Sequence, residues 1–134
     1  MSCTTLTPIL FEVLLFSISV SLPLSVNAEL IKLPDSPIGR NYLELPVISK
    51  SNNFVQVWLI QDFFERQNGA LSMRAINEID CNKDLIRVLR IQVFLSAMAK
   101  SELADFENPE RNRGWYPITI PSFAENAKKI VCIK

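Results

Sequence analysis

Apolar and polar side chains alternate through the middle of the chain and switch to a helical period only near its end. Residues 54–61 place Val55, Val57 and Leu59 on one face of a strand and Phe54, Gln56, Trp58 and Ile60 on the other. Both faces are largely apolar, which predicts a central strand covered on both sides. Residues 70–79 form a second strand, with Leu71, Met73, Ala75 and Ile79 on the side of Cys81, and Ser72, Arg74 and Glu78 opposite; Ile76 is the exception. Helix stays open as an alternative there, because Ala, Met, Arg and Glu favour it; the flanking turn signals favour strand. Residues 85–95 are a third, rich in β-branched side chains. Strict alternation puts Leu85, Leu89, Ile91, Val93 and Leu95 on one face with Arg87 as an oddity, and Ile86, Val88 and Phe94 on the other with Arg90 and Gln92. Residues 41–48 make an earlier candidate in which Pro46 marks an edge or a break.

The intervening segments carry turn chemistry. Residues 49–53 and 80–84 read as turns, 62–69 as a loop closing on Asn68-Gly69, and 96–101 as a bend. Residues 102–114 are charged and contain Pro109, which predicts an exposed, mobile loop. Pro34, Pro37 and Gly39 punctuate residues 29–40, read as a flexible N-terminal arm preceding a domain over 41–134. Residues 115–120 predict a short last strand stopped by Pro121. Ser122 then caps a helix, with Glu125 at capping-box spacing. Phe123, Ala124, Ala127, Ile130 and Val131 form its apolar stripe; Glu125, Asn126, Lys128 and Lys129 face away, the lysines suiting the helix dipole. The stripe predicts packing on a sheet.

Residues 1–28 change the picture of where the domain works. An apolar run over 9–26 ends in Val26-Asn27-Ala28, with small side chains at the positions a signal peptidase inspects. This predicts a cleaved signal peptide and an exported domain, in the periplasm or at the cell surface. The alternative, an uncleaved anchor, is disfavoured because Glu12 and Pro23 interrupt the run. No stable membrane span is expected after cleavage. Cys3 precedes the apolar run, so no lipoprotein setting is evident.

Cleavage leaves Cys81 and Cys132, and an even count in an exported chain predicts a disulfide between them. Two buried free thiols are the alternative. The bridge closes a long loop, worth roughly 4 kcal/mol on the chain-entropy argument. Removal of residues 1–28 takes Glu12 away and leaves 14 basic against 13 acidic side chains, a net charge of +1. That balance argues against nucleic acid, which needs a basic footprint. The chain has no histidine, so imidazole bases and His-ligated metals are excluded. Neither a nucleophile–base pair, a metal set nor a phosphate loop can be assembled, so no catalytic, cofactor or metal residue is expected.

The order of these elements resembles the surface-adhesin protein E family of Gram-negative bacteria. The resemblance rests on a Trp-containing strand ending near an acidic residue (Trp58, Asp62), a strand closing on Asp80-Cys81, and a Trp-x-Pro segment leading to a helix that ends in Cys (Trp115, Pro117, Ser122, Cys132). It covers residues 42–132. It implies an α+β fold, a small antiparallel β-sheet with a C-terminal helix packed on it and closed by one disulfide. It also implies a non-enzymatic binding module whose partners are host extracellular-matrix or serum proteins, such as vitronectin, laminin and plasminogen; homodimerisation stays open. The alternative is a periplasmic structural or accessory protein with no host-adhesion role.

Individual residues support bland readings first. Trp58 and Trp115 are binding aromatics or, preferably, packing residues. Asp62 is a ligand contact or, preferably, a turn or cap. Arg74, Lys83, Arg87 and Arg90 are a basic patch or, preferably, solvated strand positions beside carboxylates. Glu102, Asp105, Glu107 and Glu110 lack the spacing of a calcium loop and read as solvated. A partner surface is then expected in the 102–114 loop or the 62–69 turn.

Overall fold

Residues 28–110 and 114–133 are described by a computed structural model of the chain. Six strands follow one another as an antiparallel meander: β1 (Glu29–Ser36), β2 (Gly39–Ser51), β3 (Phe54–Gln67), β4 (Ala70–Asp80), β5 (Leu85–Phe94) and β6 (Glu102–Glu107). A single 3-10 turn at Ala97–Ala99 joins β5 to β6. The two-residue β7 (Tyr116–Pro117) pairs with Ile86 and Leu85, while β6 pairs with Arg90 to Phe94 farther along the same edge of β5. Helix α1 (Phe123–Val131) ends the fold. The expected α+β architecture, an antiparallel sheet with a packed C-terminal helix and one disulfide, is the one observed.

The alternation in β2–β4 builds the core. Leu33, Leu43, Val55, Val57, Leu59 and Ile79 share one face of the sheet and pack beneath Ala127 and Val131 of α1. Leu43, Val55, Val57 and Ile79 are wholly buried. Each such side chain contributes about 1.5–3 kcal/mol relative to exposure. β3 is third of six in the sheet, hence central, but α1 covers only one of its faces. Its second face is the open one described below.

The faces of β5 differ from the strict alternation. A bulge at Leu89 separates the pair Asn77–Val88 from the pair Ile76–Arg90. The extra residue shifts the phase, so Ile86, Val88, Ile91 and Val93 all lie on the helix side. Arg87, Arg90 and Gln92 all lie on the other side. The apparent oddity of Arg87 disappears with the bulge.

Four expected boundaries are corrected. Residues 29–40 are no arm: Glu29–Ser36 pairs with β2 as an edge strand, Ile31 and Leu33 facing the helix side. Pro34 is tolerated because it falls in the gap of the ladder between Leu33 and Ser36. Residues 102–107 are not loop but edge strand β6, their acidic side chains on the strand's open side. β3 continues through Gln67, since Phe63 pairs with Gly39 and the Phe64 N–H donates to the Ile38 carbonyl at 3.0 Å. A Cβ at Gly39 would lie 2.5 Å from the Asp62 carbonyl oxygen, so this close approach requires glycine. Of residues 115–120 only Tyr116 and Pro117 pair as strand. Pro46 marks no sheet edge; it sits where β2–β3 pairing lapses between Glu44 and Ser49. The signal peptide expected over 1–28 lies outside the described residues except for Ala28.

The end of the chain closes as its sequence indicates. Ser122 Oγ accepts the Glu125 N–H at 3.1 Å, while the Glu125 carboxylate pairs with Lys129 at 3.0 Å. The cap is therefore half a capping box. Cys132 follows directly and is bonded to Cys81 at the end of β4, with the two Cα atoms 5.7 Å apart. The bridge ties α1 to the middle of the sheet across 51 positions of sequence.

Candidate functional site

The sheet face turned away from α1 gathers most of the side chains singled out by the sequence. Strand register places them in rows. Glu44 of β2 is the direct neighbour of Trp58 in β3, and Arg74 of β4 neighbours Ile60 one position pair along. Arg74 therefore reaches diagonally across β3. Its Nε and Nη2 donate to the two Glu44 oxygens at 2.9 and 2.8 Å, and its Cζ lies 3.8 Å from the centroid of the Trp58 ring. The guanidinium is held flat between a bidentate carboxylate and an indole.

A second row repeats the chemistry with different donors. Gln56, Glu78 and Arg87 are direct neighbours across β3, β4 and β5. Gln56 Nε2 donates to Glu78 Oε2 at 3.0 Å, and Arg87 Nε and Nη2 donate to Oε1 at 2.9 and 2.6 Å. Trp115, arriving from the far end of the chain, stacks on Arg87 at 4.4 Å and meets the Phe54 ring at 5.9 Å. Both tryptophans thus pack on arginines of the open face.

Nearer the β6 edge, Arg90 Nε and Nη2 donate to Asp105 at 2.7 and 2.5 Å, and Gln92 donates to the same carboxylate at 3.1 Å. Hydrogen bonds from Arg90, then Gln92, hold the Asp105 carboxyl below the ordinary carboxylate range. The Asp105 hydrogen bond and charge raise Arg90 correspondingly. Each arginine of the face thus has a carboxylate of its own, so the surface is aromatic and polar without being a basic patch. Lys83 lies off this face, in the turn after β4, where its N–H and that of Asn82 donate to Asp80 Oδ1. Glu110 accepts a hydrogen bond from the Tyr116 hydroxyl.

One wall of the face comes from residues that the sequence did not mark. Met98 and Ala99 both adopt left-handed backbone, with φ of 57° and 56°. Asp62 Oδ1 accepts the Met98 N–H at 3.0 Å, and Ser72 Oγ accepts the Ala99 N–H at 2.9 Å while donating to the Ser96 carbonyl at 2.6 Å. Asp62 is 8% exposed and Ser72 fully buried, so two side chains beneath the turn hold it in a costly conformation. Asp62 is thus a cap for a turn 36 positions away. Between this turn and β1, a cleft of about 280 Å³ opens over Glu44, Ile60 and Arg74, with Leu30 on its far wall. Nothing in the sequence marks this knot: Ser72 lies between Leu71 and Met73, and alternation alone assigns it to solvent.

The chemistry available is recognition. The face offers planar aromatic and guanidinium plates and paired hydrogen-bonding groups, the side-chain types that anchor protein interfaces. Among the described residues, no group of three or more His, Cys, Asp or Glu side chains is placed to hold a metal ion. No helix among them is long and apolar enough to cross a membrane.

Comparison with known proteins is consistent with this frame. A profile of the family described as Surface-adhesin protein E matches residues 30–133. Protein E of Haemophilus influenzae, in its crystal form II, superposes with a TM-score of 0.56 at 15% identity, covering 82% of this chain and 91% of that one. A crystal structure of protein E from non-typeable Haemophilus influenzae gives 0.55 at 14% identity, covering 82% of this chain and 79% of that one. At such identity the two structures establish the fold alone. Among curated protein sequences, none matches this chain.

Proposed function

Because the chain belongs to the surface-adhesin protein E family, we propose that it is an exported, non-enzymatic binding module of the cell envelope that engages protein partners through the open sheet face. The family match over residues 30–133 carries this reading. The Trp58–Arg74–Glu44 and Trp115–Arg87–Glu78 stacks support the choice of face, since aromatic and arginine side chains dominate binding energy at protein interfaces. Extracellular-matrix and serum proteins of a host are the partner class. The signal peptide over residues 1–28 delivers the domain and is removed.

Two measurements test this. Intact cells are treated with an impermeant label; a protein that stays protected until the outer membrane is opened is no adhesin and has instead the periplasmic accessory role. Purified mature protein is then titrated against immobilised vitronectin, laminin and plasminogen. Saturable binding that weakens about tenfold in Met98→Asp, a residue beside the Arg74 cleft whose left-handed backbone Asp tolerates, supports both the function and the face. Absence of saturable binding across the panel defeats the adhesive reading, and binding unchanged by the variant defeats the assignment of the face.

A further inference from the structure

A second feature lies on the helix side of the sheet, away from the proposed partner face. α1 packs over the core face of β1 to β3 and begins at Phe123, and beside that side chain a half-enclosed pocket of about 130 Å³ remains over β3 to β5. Its apolar lining is Leu59, Ile60, Met73, Ala75, Val88 and Phe123. No ionisable side chain lines it.

Three carboxamides line the same pocket: Asn41, Gln61 and Asn77. Asn41 and Asn77 are 2% and 6% exposed, on a face where register puts them among core residues. Each spends an amide hydrogen on the protein. Asn41 donates to the Pro34 carbonyl at 3.1 Å, Gln61 to Ser36 Oγ at 3.0 Å, and Asn77 to the Ala75 carbonyl at 3.2 Å. Among the described residues no hydrogen bond ends on the side-chain oxygens of these amides, yet no polar atom sealed from solvent is left unpartnered. The acceptors are therefore open to solvent, and all three carboxamides line this pocket. A buried carboxamide with an open acceptor is costly unless something donates to it.

We propose that this pocket binds one aromatic ring carrying a hydrogen-bond donor, a phenol. The enclosed space, about 130 Å³, is just under the about 150 Å³ that holds benzene, and because the pocket is half-open a ring seats in it with one end projecting out. The ring meets the Met73 thioether and the Phe123 ring, both favourable aromatic contacts. The hydroxyl donates to a carboxamide oxygen, and the uncharged lining selects against ionic ligands. The phenol is supplied either by a tyrosine side chain of a partner or by a free phenolic compound.

The test is a nuclear magnetic resonance titration of the mature protein with p-cresol, 4-methylanisole and N-acetyl-tyrosinamide. The expected result is a saturable shift of the Ala75 and Val88 methyls and of the Asn41 and Asn77 side-chain amides with p-cresol. 4-Methylanisole, which lacks the donor, binds about tenfold more weakly, the size of one hydrogen bond. Saturation by N-acetyl-tyrosinamide as well identifies a tyrosyl source, and saturation by p-cresol alone a free phenol. Ala75→Leu fills the floor and abolishes the shifts; Val88→Met serves if that variant does not fold. Shifts that fail to saturate, that persist in the filled variant, or that are equal for p-cresol and 4-methylanisole overturn the proposal.

Discussion

The clasp between Cys81 and Cys132 is a direct test of how this domain is stabilised. Replacing both cysteines by serine removes the bond while leaving the sheet intact. The bridge closes a loop of 51 positions holding β5, β6, β7 and α1. On the chain-entropy relation, opening a loop of that length costs about 4 kcal/mol, through a freer unfolded chain and not through lost native contacts. For a domain of this size that is a large part of the net stability, and corresponds to a fall in Tm of roughly 15–25 °C. Urea unfolding followed by circular dichroism compares the oxidised protein with the double variant. Hydrogen exchange adds a local readout, because an effect on the unfolded state lowers protection in α1 and in β3 together. A loss below about 1 kcal/mol refutes the entropic reasoning. A fall confined to α1, with β3 protection kept, also refutes it, since the bond would then act as a tether holding a weakly packed helix.

Four further outcomes follow from local geometry. A double-mutant cycle on Glu44→Gln and Arg74→Gln, measured by urea unfolding, gives a coupling of about 1–2 kcal/mol, because the pair is bidentate, mostly buried and stacked on Trp58. Asp105 titrates below an ordinary aspartate, so its contribution to stability is present above the unfolded value and is lost as pH falls through the depressed folded one; carbon-detected titration shows this, and Arg90→Gln moves the value back up. At the turn over the open face, Ala99→Gly relieves left-handed backbone and stabilises by about 0.5–1 kcal/mol. Ser72→Ala there strands the Ala99 N–H and costs about 1–3 kcal/mol in the same unfolding assay.

The sequence by itself determined the parts whose signal is local. Alternation grouped Val55, Val57 and Leu59 on one face of β3, and Met73, Ala75 and Ile79 on one face of β4, because side chains in a strand repeat every two residues; the register then puts both groups on the same side of the sheet. The cap at Ser122, the stripe of α1 and the Asn68-Gly69 turn were legible for the same reason: each depends on a few adjacent dihedrals and side chains. The cysteine pair was legible by count.

Only the tertiary structure decided the rest, wherever a partner distant in sequence sets the outcome. Pro34 reads as a breaker until β2 supplies a ladder with a gap at that position. The acidic run at 102–107 reads as solvated loop until β5 offers an edge and Arg90 a counter-charge. The bulge at Leu89 has no mark in the sequence, yet it sorts the arginines of β5 onto one face. That phase shift, with the diagonal reach of Arg74 and the return of Trp115, assembles the open face from five separate segments. Stacking and hydrogen bonding act over a few ångströms of space, and nothing in the spacing of Glu44, Trp58, Arg74, Arg87 and Trp115 along the chain records that closeness.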